Sequence, residues 1–97
     1  MLNSKQRAYL RAMSQALDTI FQVGKGGITE EMCIQIANAL EARELIKARV
    51  LENSGYTAKE AANEISENIG CDVVSCVGSR FVIYKESEKK KRIELPR

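Results

Sequence analysis

The chain has 97 residues, of which 44% are apolar and 29% charged, with one proline and a net charge of +2. That length builds one domain with a real core, which excludes a multidomain enzyme, and the composition excludes general disorder. Histidine is absent and the three cysteines (33, 71 and 76) form no C-x-x-C pair, so no metal site, cofactor or disulfide framework is expected.

Lys5, Arg7 and Arg11 interrupt the N-terminal stretch where a secretory signal would run apolar. Nowhere are there the roughly 18 consecutive apolar residues of a membrane span, so a soluble, cytoplasmic protein with reduced thiols is expected. Across residues 3–18, Leu10, Met13 and Leu17 recur at helical spacing, while Arg7 and Arg11 share another face. Thr19–Val23 is a short β-prone run ending on Gly24-Lys25-Gly26-Gly27. Thr29 can cap the helix that follows, which has Met32, Ile36, Ala39 and Leu40 on its core face and ends near Arg43. Residues 45–52 alternate, with Ile46, Ala48 and Val50 on one side and Lys47 and Arg49 on the other, as in a half-buried strand. After the break at Asn53-Ser54-Gly55, Thr57 caps a third helix whose apolar face is Ala58, Ala61, Ala62, Ile65 and Ile69, and Gly70 ends it. Residues 71–77 and 80–85 flank Gly78-Ser79, the pattern of a hairpin with a two-residue turn. The expected fold is α/β, a two-layer compact domain with a four-stranded mixed sheet and three helices in the order α-β-α-β-α-β-β. It spans residues 1–86, and residues 87–97 are expected as a flexible basic tail. Any crossover between parallel strands should be right-handed.

Charge is segregated along this order. Residues 1–28 hold four cations against Asp18, residues 29–70 hold eight glutamates against four cations, and residues 71–97 hold seven cations against four anions. A positive patch opposite an acidic face would suit a polyanionic partner better than the net charge suggests.

The Gly24–Gly27 turn has the composition of an anion site: glycines bring main-chain amides close to a ligand, Lys25 adds charge, and a helix begins just beyond. A merely tight connection is the other reading. The turn is no nucleotide fingerprint, because Lys25 is followed by Gly26 and not Ser or Thr, and Thr29 stands where the third dinucleotide-loop glycine would fall. Arg7 with Arg11, and Lys47 with Arg49, form either phosphate contacts or ordinary solvated faces. Tyr84 sits in a run apolar on both faces and reads as core, with base stacking the other reading, the cysteines read as packing, and Glu41, Glu44, Glu52, Glu60, Glu64 and Glu67 read as a solvated face. No nucleophile or acid-base pair emerges, so an enzyme is not expected.

Four segments in order, 7–17 (RAYLRAMSQAL), 22–29 (QVGKGGIT), 39–50 (ALEARELIKARV) and 77–85 (VGSRFVIYK), resemble the stand-alone bacterial CRM-domain proteins of the YhbY type. The resemblance implies RNA binding through a GxxG loop, here Gly24, Lys25, Gly26 and Gly27, and a link to large ribosomal subunit assembly. It implies a fold like the C-terminal domain of translation initiation factor three. It also places Arg7, Arg11, Lys47 and Arg80 on the family's basic positions. The implied partner is large-subunit ribosomal RNA or its precursor, with ribosomal proteins as further partners, for a monomer without membrane contact. The chain departs from the family in having Asp18-Thr19 where proline is common and Arg43 where histidine is frequent. An adaptor that docks on a ribosomal or assembly-factor surface without touching RNA is the alternative.

Overall fold

A computed structural model describes residues 2–97; Met1, where the expected domain begins, lies outside them. The elements are α1 (Ser4–Ser14), β1 (Thr19–Val23), α2 (Glu30–Arg43), β2 (Leu45–Val50), a 3-10 turn (Glu52–Ser54), α3 (Ala58–Ile69), β3 (Asp72–Val77) and β4 (Arg80–Tyr84). The strands lie in the order β1-β2-β4-β3, with β1 parallel to β2 and β4 antiparallel to both its neighbours. β3 therefore runs parallel to β2. Both strand-helix-strand connections step the same way across the sheet with their helices on one face, so they share one hand.

Local chemistry sets the element ends. Asn3 and Gln6 exchange side-chain to main-chain bonds of 2.8 and 3.1 Å at the start of α1, and Thr57 with Glu60 repeats that capping box on α3. Gly70, at φ 73°, closes α3, and Gly78, at φ 59°, turns the two-residue hairpin. Both edge strands carry an irregularity, β1 between Thr19 and Phe21 and β3 between Val73 and Ser75.

On one face Val23, Ile46, Ala48, Phe81 and Ile83 meet Ile36 and Leu40 of α2 and Ala61, Ala62 and Ile65 of α3. The alanines let α3 lie close to the sheet. On the other face Leu45, Val74, Val82 and Tyr84 are covered by Leu2, Leu10 and Ile93. α1 and the end of the chain thus add a partial third layer to the two expected. α1 is also shorter than the expected residues 3–18: Leu10 is buried as its stripe requires, but Met13 is exposed. Ser14 takes the inward place, its hydroxyl donating to the Arg11 carbonyl at 2.7 Å.

The largest difference from expectation follows β4. Residues 87–97 form no helix or strand, yet they are pinned to the domain. Glu44, expected on a solvated face, is fully buried at 0% exposure. It follows α2 at φ 67°, a conformation that costs a side-chain-bearing residue about 1–3 kcal/mol. Its carboxylate accepts the N–H groups of Ser87 at 2.7 Å and of Arg92 and Ile93 at 2.6 Å. Glu41, one turn earlier, accepts the Ser87 hydroxyl and the N–H groups of Glu88 at 3.0 Å and Lys89 at 3.3 Å. Ile93 enters the second core, and the Gln6 side-chain amide donates to the Pro96 carbonyl at 3.0 Å. Because the glutamates grip main-chain groups, the tail docks without the apolar periodicity that would have announced it.

Burial disfavours the Glu44 charge, but the three N–H donors and the Lys91 ammonium outweigh it and hold the carboxyl below its ordinary value. Glu41 is lowered too, chiefly by the Ser87 hydroxyl. Groups depressed in the folded state lend stability that is fully present above their unfolded pKa and is lost as pH falls through the folded one. In an NMR titration the amide resonances of Ser87, Arg92 and Ile93 should therefore shift with a midpoint below 4.5, the ordinary glutamate value; a midpoint at or above it would contradict the clamp. In urea, Leu40→Ala should cost about 2–5 kcal/mol of unfolding free energy. Val77→Thr, at an edge position 72% exposed, should stay within about 0.5 kcal/mol.

Candidate nucleic-acid interface

β1 ends at Val23, in register with Val50 of β2, and the Leu51 N–H donates to the Val23 carbonyl at 2.9 Å. Beyond that bond Gly24–Gly27 reverse direction, with the Gly27 N–H donating to the Gly24 carbonyl at 2.9 Å. Lys25 stands exposed at the corner. Gly27 has φ 72°, and a Cβ there would lie 3.6 Å from the Tyr56 ring, an ordinary contact, so the demand for glycine is conformational. Tyr56 supports the turn, a role no local sequence signal announces. Its hydroxyl donates to Glu64 Oε1 at 2.9 Å, and this bond, then burial, pushes the phenol up. The start of α2 is complemented from within: the Thr29 hydroxyl accepts the Met32 N–H at 3.1 Å, and Glu30 and Glu31 occupy the first turn. Anion binding at this loop would thus rest on the turn's own amides and Lys25.

The alternation of β2 puts Leu45, Lys47 and Arg49 on the sheet face that carries α1. The helix covers the Leu45 end of that face and leaves the other end open. There Arg11 and Ser14 of α1, and Gln15 just after it, face Lys47, Ser75 and Arg80 of the sheet across a groove of about 250 Å³. Arg49 lies in register with Gln22 of β1 and with Arg80 of β4, so a polar row crosses the sheet from the strand that leads into the glycine turn to the strand that lines the groove. Sequence alternation pairs Arg49 with Lys47 as either a phosphate contact or a solvated face; the register adds that Arg49 stands between Gln22 and Arg80. Arg7 is half-buried one turn before Arg11 and does not line the groove. The Nε atoms of Arg7 and Arg49 are shielded from solvent and meet no acceptor among the described residues.

Among the described residues the one ion pair joins Lys91 to Glu86 at 3.4 Å, so no carboxylate neutralises the cations of the groove or the turn. The arrangement can hold a row of anionic groups. Burial pushes the Cys71 thiol to about 11 and the Tyr84 phenol to about 12, and it raises Cys76, so all three keep their protons at neutral pH. Among the described residues no helix is long and apolar enough to cross a membrane.

A mixed α/β sheet with an uncompensated basic groove near a glycine turn defines a small domain suited to polyanion recognition. The chain belongs to the CRS1 / YhbY (CRM) domain family, whose pattern matches residues 2–85. It is 46% identical to a Bacillus subtilis protein named Probable RNA-binding protein YqeI, over 99% of this chain and 100% of the relative. It is 33% identical to a Haemophilus influenzae protein named RNA-binding protein, over 99% and 96% of the two chains. A Staphylococcus aureus protein described from its solution structure as a candidate RNA binder shares 45% identity, with a TM-score of 0.73 over 99% of this chain and all of that one.

Gly27→Ala should destabilise the protein by about 1–2 kcal/mol, the cost of a Cβ at left-handed backbone. Gly26→Ala, in open space and without positive φ, should change stability by less than about 0.5 kcal/mol in the same denaturation series.

Proposed function

We propose that the protein is a non-enzymatic binder of structured RNA, acting as a cytoplasmic monomer on large-subunit ribosomal RNA or its precursor during subunit assembly. The observation that carries this reading is the convergence of Arg11, Lys47 and Arg80 in one groove with no ion-paired carboxylate. Gly24, Lys25, Gly26 and Gly27 extend that surface at the end of β1, Arg49 links the two regions across the sheet, and Arg7 continues it along α1. Cations spread over a sheet face and a helix contact phosphates and read shape, as suits folded RNA; aromatic platforms for splayed bases are few. The names of the Bacillus and Haemophilus relatives support the same partner class.

The test is binding of the purified protein to transcribed precursor and mature large-subunit RNA across a salt series. Affinity should fall steeply with salt, and Lys25→Ala should weaken binding to both RNAs alike and flatten the slope of log K against log salt by about one contact's worth. An unchanged slope would remove Lys25 from the interface. Absence of binding at low salt would reject the RNA reading and favour docking on an acidic protein surface.

A further inference from the structure

Lys89, Lys90, Lys91 and Arg92 are consecutive and exposed, and they lie beyond the residues that the family pattern covers. The backbone of this run is held in shape: five N–H groups from residues 87, 88, 89, 92 and 93 and the Ser87 hydroxyl converge on the carboxylates of Glu41 and Glu44. The Lys90 N–H donates to the Ser87 hydroxyl oxygen at 3.0 Å, and Arg92 Nη1 donates to the Lys90 carbonyl at 2.9 Å, so the run folds into a compact turn. Arg92 and Ile93 share a surface cleft with Arg43 and Leu45, at the start of β2. The glycine turn lies at the other end of that strand, where Val50 pairs with Val23. Five strand steps, about 17 Å, separate the two ends.

We infer that Lys89, Lys90, Lys91 and Arg92, with Arg43 beside them, form a second surface for the phosphate backbone of RNA, separate from the groove and presented in fixed shape by the Glu41 and Glu44 clamp. The inference rests on the RNA-binding reading and adds a second point of contact to it. Among the described residues Lys91 pairs with Glu86 at 3.4 Å, both groups more than half exposed, and the charges of Lys89 and Lys91 also act on Glu41 and Glu44, whose oxygens are taken by the Ser87 hydroxyl and main-chain donors; Lys90 and Arg92 form no ion pair. Four cations on a fixed turn lose less conformational freedom on binding than the same four on a free tail. Two cationic surfaces at opposite ends of one strand would engage two separated stretches of backbone, as a folded RNA offers.

The clamp holds main-chain groups, so removing lysine side chains leaves it in place. Lys89→Gln/Lys90→Gln/Lys91→Gln is compared with wild type and with Lys25→Ala for binding to the transcribed precursor RNA over a salt series. The triple variant should keep its Ser87 and Ile93 amide resonances, bind more weakly, and lower the salt slope by about two to three, with effects additive to those of Lys25→Ala. If wild type binds and Lys25→Ala weakens it while the triple variant matches wild type in affinity and slope, the second surface is rejected and the groove stands alone. If wild type does not bind, the RNA reading itself has failed. Glu41→Gln, at a half-exposed position, tests presentation: hydrogen exchange at residues 87–89 should quicken and affinity should drop several-fold with the salt slope retained. Faster exchange with unchanged affinity would overturn the role of the clamp.

Discussion

A single buried carboxylate sets much of the geometry of this molecule. Glu44 stands where α2 must stop and β2 must begin, in a backbone conformation usually left to glycine. The strain is offset because its side chain satisfies three main-chain donors and its carbonyl accepts the Lys85 N–H at 2.9 Å. One residue thereby fixes the helix end, the first pairing of β2 with β4, and the path of the chain after β4. Ile93 reaches the second core only along that path, so the cover over Leu45 and Tyr84 depends on an ionised group that no apolar pattern reveals.

The same economy of carboxylates explains the open basic face. The middle of the chain is rich in glutamate, and in a different fold those groups could have neutralised the arginines and lysines. Here Glu41 and Glu44 hold main-chain amides, Glu60 caps α3, and Glu64 accepts the Tyr56 hydroxyl. Among the described residues the cations contributed by α1, β2 and β4 are left together without an ion pair, so this face is more positive than a net charge of +2 conveys.

The fold was legible where periodicity and local stops agree. Ile36 and Leu40, Ala61 and Ile65, and the alternation through Ala48 marked their buried faces, and Gly70 and Gly78 marked their turns. α1 departs from its pattern because Met13 fits an apolar stripe as well as Ser14 fits a polar one, and only packing against the sheet decides between them. The tail escaped because main-chain hydrogen bonds to carboxylates leave no trace in side-chain hydrophobicity. At the candidate site, the turn of Gly24–Gly27 with Lys25 exposed at its corner follows from composition and spacing. Alternation leaves Arg49 undecided between a contact and a solvated face, and its link to Gln22 and Arg80 comes from strand register; Tyr56 acts on a loop some thirty residues earlier in the chain, so pairing and tertiary proximity carry that information.

The two bulged edges of the sheet have a consequence for how the molecule behaves among its own kind. A chain that gathers on a long polyanion meets its copies at high local concentration, where a straight, regular edge strand would zip onto a neighbour's. The irregularities at Thr19 to Phe21 and at Val73 to Ser75 break the even ladder on both outer strands. Crowding on a shared scaffold can then proceed without turning a row of separate domains into one continuous sheet.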